Sequence, residues 1–156
     1  MSAYGTTIFC DDMRVEASGK FILIGCYGDT ILLNQGFPST LPSLHFHINV
    51  FVPQSEYMGD MKVEIYFPGD TVSPSLETQI PQHPEPPPEE ATHRAEPSEE
   101  LQVHLMLNLT ARPMPLSAPG FIRVRGVVGD KRIRLGDLKV MAAPEEGAPV
   151  EAVGKQ

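Results

Sequence analysis

Four arginines, Arg123, Arg125, Arg132 and Arg134, fall at alternate positions on either side of Gly129-Asp130. A guanidinium group is a permanently charged planar fork that matches carboxylate and phosphate oxygens two at a time, so four of them on one surface would recognise an anion. If Gly129-Asp130 is a two-residue hairpin loop, Arg125 lies opposite Arg134 and Val127 opposite Arg132. All four arginines then project from one face, and Ile122, Val124, Ile133 and Leu135 project from the other. Like charges facing each other across a ladder repel, which calls for an acidic counterpart. Asp11, Asp12, Glu16 and Glu64 could supply it from within, as could the Pro/Glu-rich stretch after residue 70, or an anionic partner from outside. The competing reading of the same arginines is a solvated sheet face protected by its charge.

His45 and His47 sit at i and i+2 on one face of an alternating run, and His104 joins them if two outer faces coincide. Strand-borne zinc ligands use this spacing, but no fourth ligand or general base accompanies them, so solvent-facing histidines are the simpler account. Phe51 stands on the same otherwise polar face and could anchor a protein contact. Asp11 and Asp12 are adjacent on a strand, so they point to opposite faces and cannot act as paired carboxylates. Cys10 and Cys26 are expected on different faces, as buried structural thiols. There is no G-x-S-x-G, phosphate loop, G-x-G-x-x-G or HExxH. No catalytic constellation is visible, and no cofactor is implied.

The elements that would carry these residues are strands. Period-two alternation recurs, and no window has helical periodicity. Phe9 to Val15 and Phe21 to Tyr27 flank Ala17-Ser18-Gly19-Lys20. With Ser18-Gly19 as a two-residue loop, Val15 faces Ile22 and Met13 faces Ile24. The second of these strands, FILIGCY, is apolar on both faces and is expected to be central and covered. Thr30 to Leu33, Leu44 to Val52, Met61 to Phe67, Leu101 to Leu109, Phe121 to Val128 and Lys131 to Val140 complete the set. About seven strands without intervening helices predict an all-β fold, a two-sheet antiparallel β-sandwich of immunoglobulin-like or C2-like form. A closed barrel is the alternative.

The 156 residues suffice for one domain that buries roughly two-thirds of its unfolded surface. That domain is expected over 1–140, with 141–156 as a flexible tail. Residues 71–100 hold seven prolines and seven glutamates, too polar to pack and too proline-rich to pair, which predicts a disordered loop within the domain. The net charge of −8 is unevenly spread: residues 1–70 carry −5, 71–100 carry −6, 101–140 carry +5 and the tail −2. Acidity concentrated in the loop and tail argues against general nucleic-acid affinity. The opening MSAYGTTIFCDD lacks the pattern of a secretory signal, and no apolar run approaches a membrane span. The expected location is therefore the cytoplasm, with no membrane partner.

The run FCDDMRVEASGKFILIGCYGDTI, followed by Leu41-Pro42-Ser43-Leu44 leading into an alternating strand, resembles an uncharacterised family of small bacterial proteins. Its members open with a similar Cys-Asp, Arg, Glu and Gly-Lys hairpin that runs into Leu-Ile-Gly. The likeness covers residues 1–70 well and the final hairpin loosely. It implies a bacterial, cytoplasmic, one-domain protein and brings no catalytic residue. The residues point to a non-enzymatic interaction or scaffolding module, docking a protein through Arg123, Arg125, Arg132 and Arg134 or through the face around Phe51. The alternatives are a self-associating subunit of a phage-like or multicomponent assembly, and a metal-dependent enzyme built on His45, His47 and His104. No small-molecule substrate is inferred.

Overall fold

The computed structural model describes residues 2–57, 59–80 and 101–145. Eleven strands and no helix occur among them: β1 (Tyr4–Val15), β2 (Phe21–Cys26), β3 (Thr30–Leu33), β4 (Ser39–Leu41), β5 (Leu44–Pro53), β6 (Met61–Tyr66), β7 (Leu76–Ile80), β8 (Gln102–Ala111), β9 (Met114–Leu116), β10 (Gly120–Val128) and β11 (Lys131–Ala142). The fold is all-β, as the alternation predicts, with more strands than the seven expected.

Three sheets form. One has the order β2-β1-β5-β8, a second has β3-β11-β10-β6-β7, and β4 pairs with β9 in a small third sheet. All pairs are antiparallel except β11 with β3, which run parallel and so depart from the all-antiparallel expectation. Alternation assigns the inner faces. Leu44, Phe46, Ile48, Val50 and Val52 of β5 are fully buried, as are Val63 and Ile65 of β6, Ile122 and Val124 of β10 and Leu138 of β11. Side chains from both large sheets join in one apolar cluster. Each fully buried Val, Leu, Ile or Phe contributes about 1.5–3 kcal/mol, so this cluster is the main force holding the sheets together.

Glycines let β1 of one large sheet pack against β11 of the other. A Cβ on Gly5 would press on the carbonyl oxygen of Asn49 in the neighbouring β5 and lie 2.7 Å from Leu135 of β11, and one on Gly136 would lie 3.1 Å from Thr7 of β1. β1 and β11 can run this close only because side chains are missing there.

Three expectations are corrected. The strand FILIGC is not central: β2 pairs only with β1, because β1 takes β5 on its other side, and so β2 is a sheet edge. Phe21, Ile22 and Ile24 are 39–42% exposed. The first hairpin is also slipped by one residue, with Val15 opposite Phe21 and Met13 opposite Leu23. Glu16 N–H donates to Lys20 C=O and Gly19 N–H to Glu16 C=O, each at 2.9 Å. The loop is therefore three residues, Ala17-Ser18-Gly19, closed by Gly19 at φ 82°.

The third correction concerns the Pro/Glu-rich loop expected over 71–100. Its residues Leu76–Ile80 form β7, an edge strand on β6 with Glu77 opposite Glu64. The composition of the whole stretch hid the short alternation of LETQI. The remainder, 81–100, and most of the expected tail, 146–156, lie outside the described residues.

Candidate functional site: the arginine face of the C-terminal hairpin

Gly129, at φ 59°, turns β10 into β11, and Val127 lies opposite Arg132 and Arg125 opposite Arg134, as the two-residue loop predicts. One step further the ladder shifts: Val124 faces Gly136 and Arg123 faces Asp137, leaving Leu135 as an extra residue on β11. A bulge of this kind flips the alternation beyond it. Its consequence is to bring Asp137 onto the arginine face. Asp137 accepts from Arg125 Nη1 at 2.6 Å and Arg134 Nε at 2.7 Å, so it clamps the two arginines that would otherwise repel across the ladder.

On the other side of β10, β6 supplies Glu64 opposite Arg125, Tyr66 opposite Arg123 and Lys62 opposite Val127. Glu64 is buried, and accepts from Arg132 Nη2 at 2.8 Å, Lys62 Nζ at 3.0 Å and the Tyr66 hydroxyl at 2.9 Å. Burial alone would raise its carboxyl. The hydrogen bonds from Lys62 and Tyr66 and the charge of Arg132 outweigh that and hold it below the ordinary carboxylate range. The Tyr66 ring lies under two guanidinium groups, Arg123 and Arg132, each 5.1 Å from its centroid. Arg123 Nη2 also donates to the backbone carbonyl of Asp70 at 2.6 Å. The Asp70 carboxylate accepts from the Ser75 hydroxyl at 2.6 Å and from Phe67 N–H at 2.9 Å, which lower its carboxyl and fix the turn before β7.

These residues enclose an open cleft of about 270 Å³ lined by Tyr66, Thr71, Val72, Arg123, Arg125 and Arg132. Lys62 and the four arginines face four carboxylates here, Glu64, Asp70, Glu77 and Asp137, leaving an excess of one positive charge among the described residues. Such a site can hold a carboxylate against forked donors, with the phenol ring and Val72 as an apolar wall. The internal counterpart expected from Asp11, Asp12, Glu16 or Glu64 is supplied by Glu64, together with Asp137, which sequence reasoning missed. The signal was a one-residue change of phase beside Gly136, with apolar residues at Ile133 and Leu135 and then at Leu138 and Val140.

The remaining candidates lie on the outer face of the β2-β1-β5-β8 sheet, away from this cleft. Phe51 is stacked between Tyr4, at 5.1 Å, and His104, at 4.6 Å between ring centroids. His104 Nε2 shares a hydrogen bond with Asn49 Oδ1 at 2.9 Å. His47 Nδ1 shares one with Asn108 Oδ1 at 2.7 Å, and His45 is buried with its ring nitrogens 2.7 Å from Thr110 Oγ1 and 3.3 Å from Asn108 Oδ1. Burial pushes the His45 imidazole below its ordinary range. His47 lies opposite Asn108 whereas His104 lies opposite Phe51, four residues along β5, so the three histidines do not converge. Among the described residues no group of three or more His, Cys, Asp or Glu is placed to share an ion, and no helix is long and apolar enough to cross a membrane.

A scan against protein-family models and searches of curated proteins and of solved structures each return no match.

Proposed function

We propose that this protein is a non-enzymatic β-sandwich interaction module, immunoglobulin-like or C2-like in form, whose cleft between β10, β11 and β6 docks an acidic segment of a partner protein. The observation that carries this reading is the cleft walled by Arg123, Arg125, Arg132 and Tyr66, with positive charge left over after Glu64 and Asp137 are accounted for. Arginines already held in place by Glu64, Asp137 and the Asp70 carbonyl lose little side-chain entropy on binding, which favours recognition of an extended acidic chain. The resemblance of the first hairpin to small bacterial proteins is in keeping with a cytoplasmic adaptor.

Fluorescence anisotropy with a labelled glutamate-rich peptide tests the proposal. Binding should weaken at least tenfold in Arg123→Glu/Arg132→Glu and with added salt, and a lysine-rich peptide should not bind. Equal affinity of the parent and the double variant would remove the reading.

A second reading, self-association, rests on β2. Sheet edges are ordinarily blunted by charge, proline or bulges, yet Phe21–Cys26 has no charged residue and no proline, and it exposes Phe21, Ile22 and Ile24. Two copies could pair edge to edge there. Light scattering over a concentration range decides it. A dimer that dissociates in Ile24→Lys supports the reading, and a strict monomer at the highest concentration rejects it.

A further inference from the structure

The slipped register of the first hairpin places Cys10 of β1 directly opposite Cys26 of β2. Tyr27 N–H donates to Phe9 C=O at 2.8 Å, which carries the pairing one step beyond the two cysteines. Facing Cα atoms of an antiparallel pair lie about 4.5 to 5.5 Å apart. That is within the range of roughly 4.4–6.8 Å that disulfides span. Both thiols are free.

The two differ in their surroundings. Cys10 is fully buried yet is not part of the apolar cluster between the sheets, and its Sγ donates to the Asp12 carbonyl at 3.4 Å. Burial, the nearby Cys26 and the carboxylates of Asp11 and Asp12 push the Cys10 thiol up. Cys26 is exposed on the sheet edge.

We propose that Cys10 and Cys26 form a reversible disulfide across the β1–β2 hairpin, with Cys26 reacting first and Cys10 resolving. The oxidant is a low-molecular-weight disulfide of the glutathione class. Cys26 thiolate attacks one sulfur of that disulfide, forming a mixed disulfide and releasing one small thiol. Cys10, after losing its proton to solvent, attacks the Cys26 sulfur and releases the second small thiol. Two protein thiols and one small disulfide thus become one protein disulfide and two small thiols. The product fastens β2, held by β1 alone, to the rest of its sheet. This site is independent of the arginine cleft on the other large sheet.

The test is intact-mass analysis of the full chain equilibrated with glutathione disulfide and then with excess glutathione. The expected product is a monomer lighter by two hydrogens that returns to the starting mass on reduction. Cys10→Ser should stop at a single glutathione adduct on Cys26, and Cys26→Ser should react at least tenfold more slowly than the parent. A parent chain that retains both thiols, carries two glutathione adducts or forms Cys26–Cys26 linked dimers overturns the proposal. Because the parent chain alone gives the primary readout, poor folding of a variant does not protect the claim.

Discussion

Glu64 concentrates the electrostatics of the arginine face in one side chain. It is buried and depends on Arg132, Lys62 and Tyr66 for every strong hydrogen bond to its carboxylate. Its carboxyl is held below the ordinary range in the folded chain. The stabilisation is therefore complete above the unfolded pKa of roughly 4.3 and is lost as pH falls through the lower folded value. Glu64→Gln should cost about 1–2 kcal/mol at neutral pH, a magnitude held down by the solvent exposure of Arg132. The cost should shrink as the parent's Glu64 protonates. Urea denaturation at pH 7 and at progressively lower pH checks both parts, and a cost that is independent of pH would show that the charge plays no role. At this scale the sequence was readable where alternation held: Arg123, Arg125, Arg132 and Arg134 share a face as their spacing requires. Asp137 was missed because strict alternation was carried through Gly136, where the apolar positions shift from Ile133 and Leu135 to Leu138 and Val140 and the bulge at Leu135 turns Asp137 toward Arg125 and Arg134.

Between elements, the decisive contacts are those that a pattern of apolar and polar residues does not encode. Alternation placed β5, β6, β8, β10 and β11 to within a residue or two, because each alternates apolar and polar side chains over most of its length. It misplaced β2, since a strand apolar on both faces reads as central whether or not a neighbour exists to cover it. It also set the first hairpin one residue out of register, because a two-residue and a three-residue loop both end at Gly19. That single residue decides whether Cys10 and Cys26 meet. The close approach of β1 to β11 yields a prediction of the same kind. Gly5→Ala forces a methyl group against Leu135 of β11 and also against the Asn49 carbonyl of the paired β5, a backbone atom that cannot swing away. A loss of about 2–3 kcal/mol is expected. Gly28→Ala meets nothing within 4 Å and should stay within about 0.5 kcal/mol of the parent. Thermal unfolding of the two variants side by side tests the tight packing around Gly5, and equal melting temperatures would refute it.

Across the described residues, chemistry is divided between two surfaces. The outer face of the β3-β11-β10-β6-β7 sheet carries charge, with ion pairs that leave a positive remainder around an open cleft. The outer face of the β2-β1-β5-β8 sheet carries ring stacks, Tyr4 with Phe51 and Phe51 with His104, and ends in the apolar edge of β2. The sequence announced the first surface through its charge asymmetry, with +5 over residues 101–140 against −5 over residues 1–70. The second was only half legible, because Tyr4 lay outside every strand expected from alternation. The measurement that bears most directly on the arginine cleft is a titration of the isotope-labelled chain with a glutamate-rich peptide, followed by backbone amide chemical shifts. Saturable shifts concentrated at Tyr66, Thr71, Val72, Arg123, Arg125 and Arg132 are predicted. Shifts confined to β2 or to the Tyr4–Phe51–His104 face, or no saturable shift at all, would contradict it.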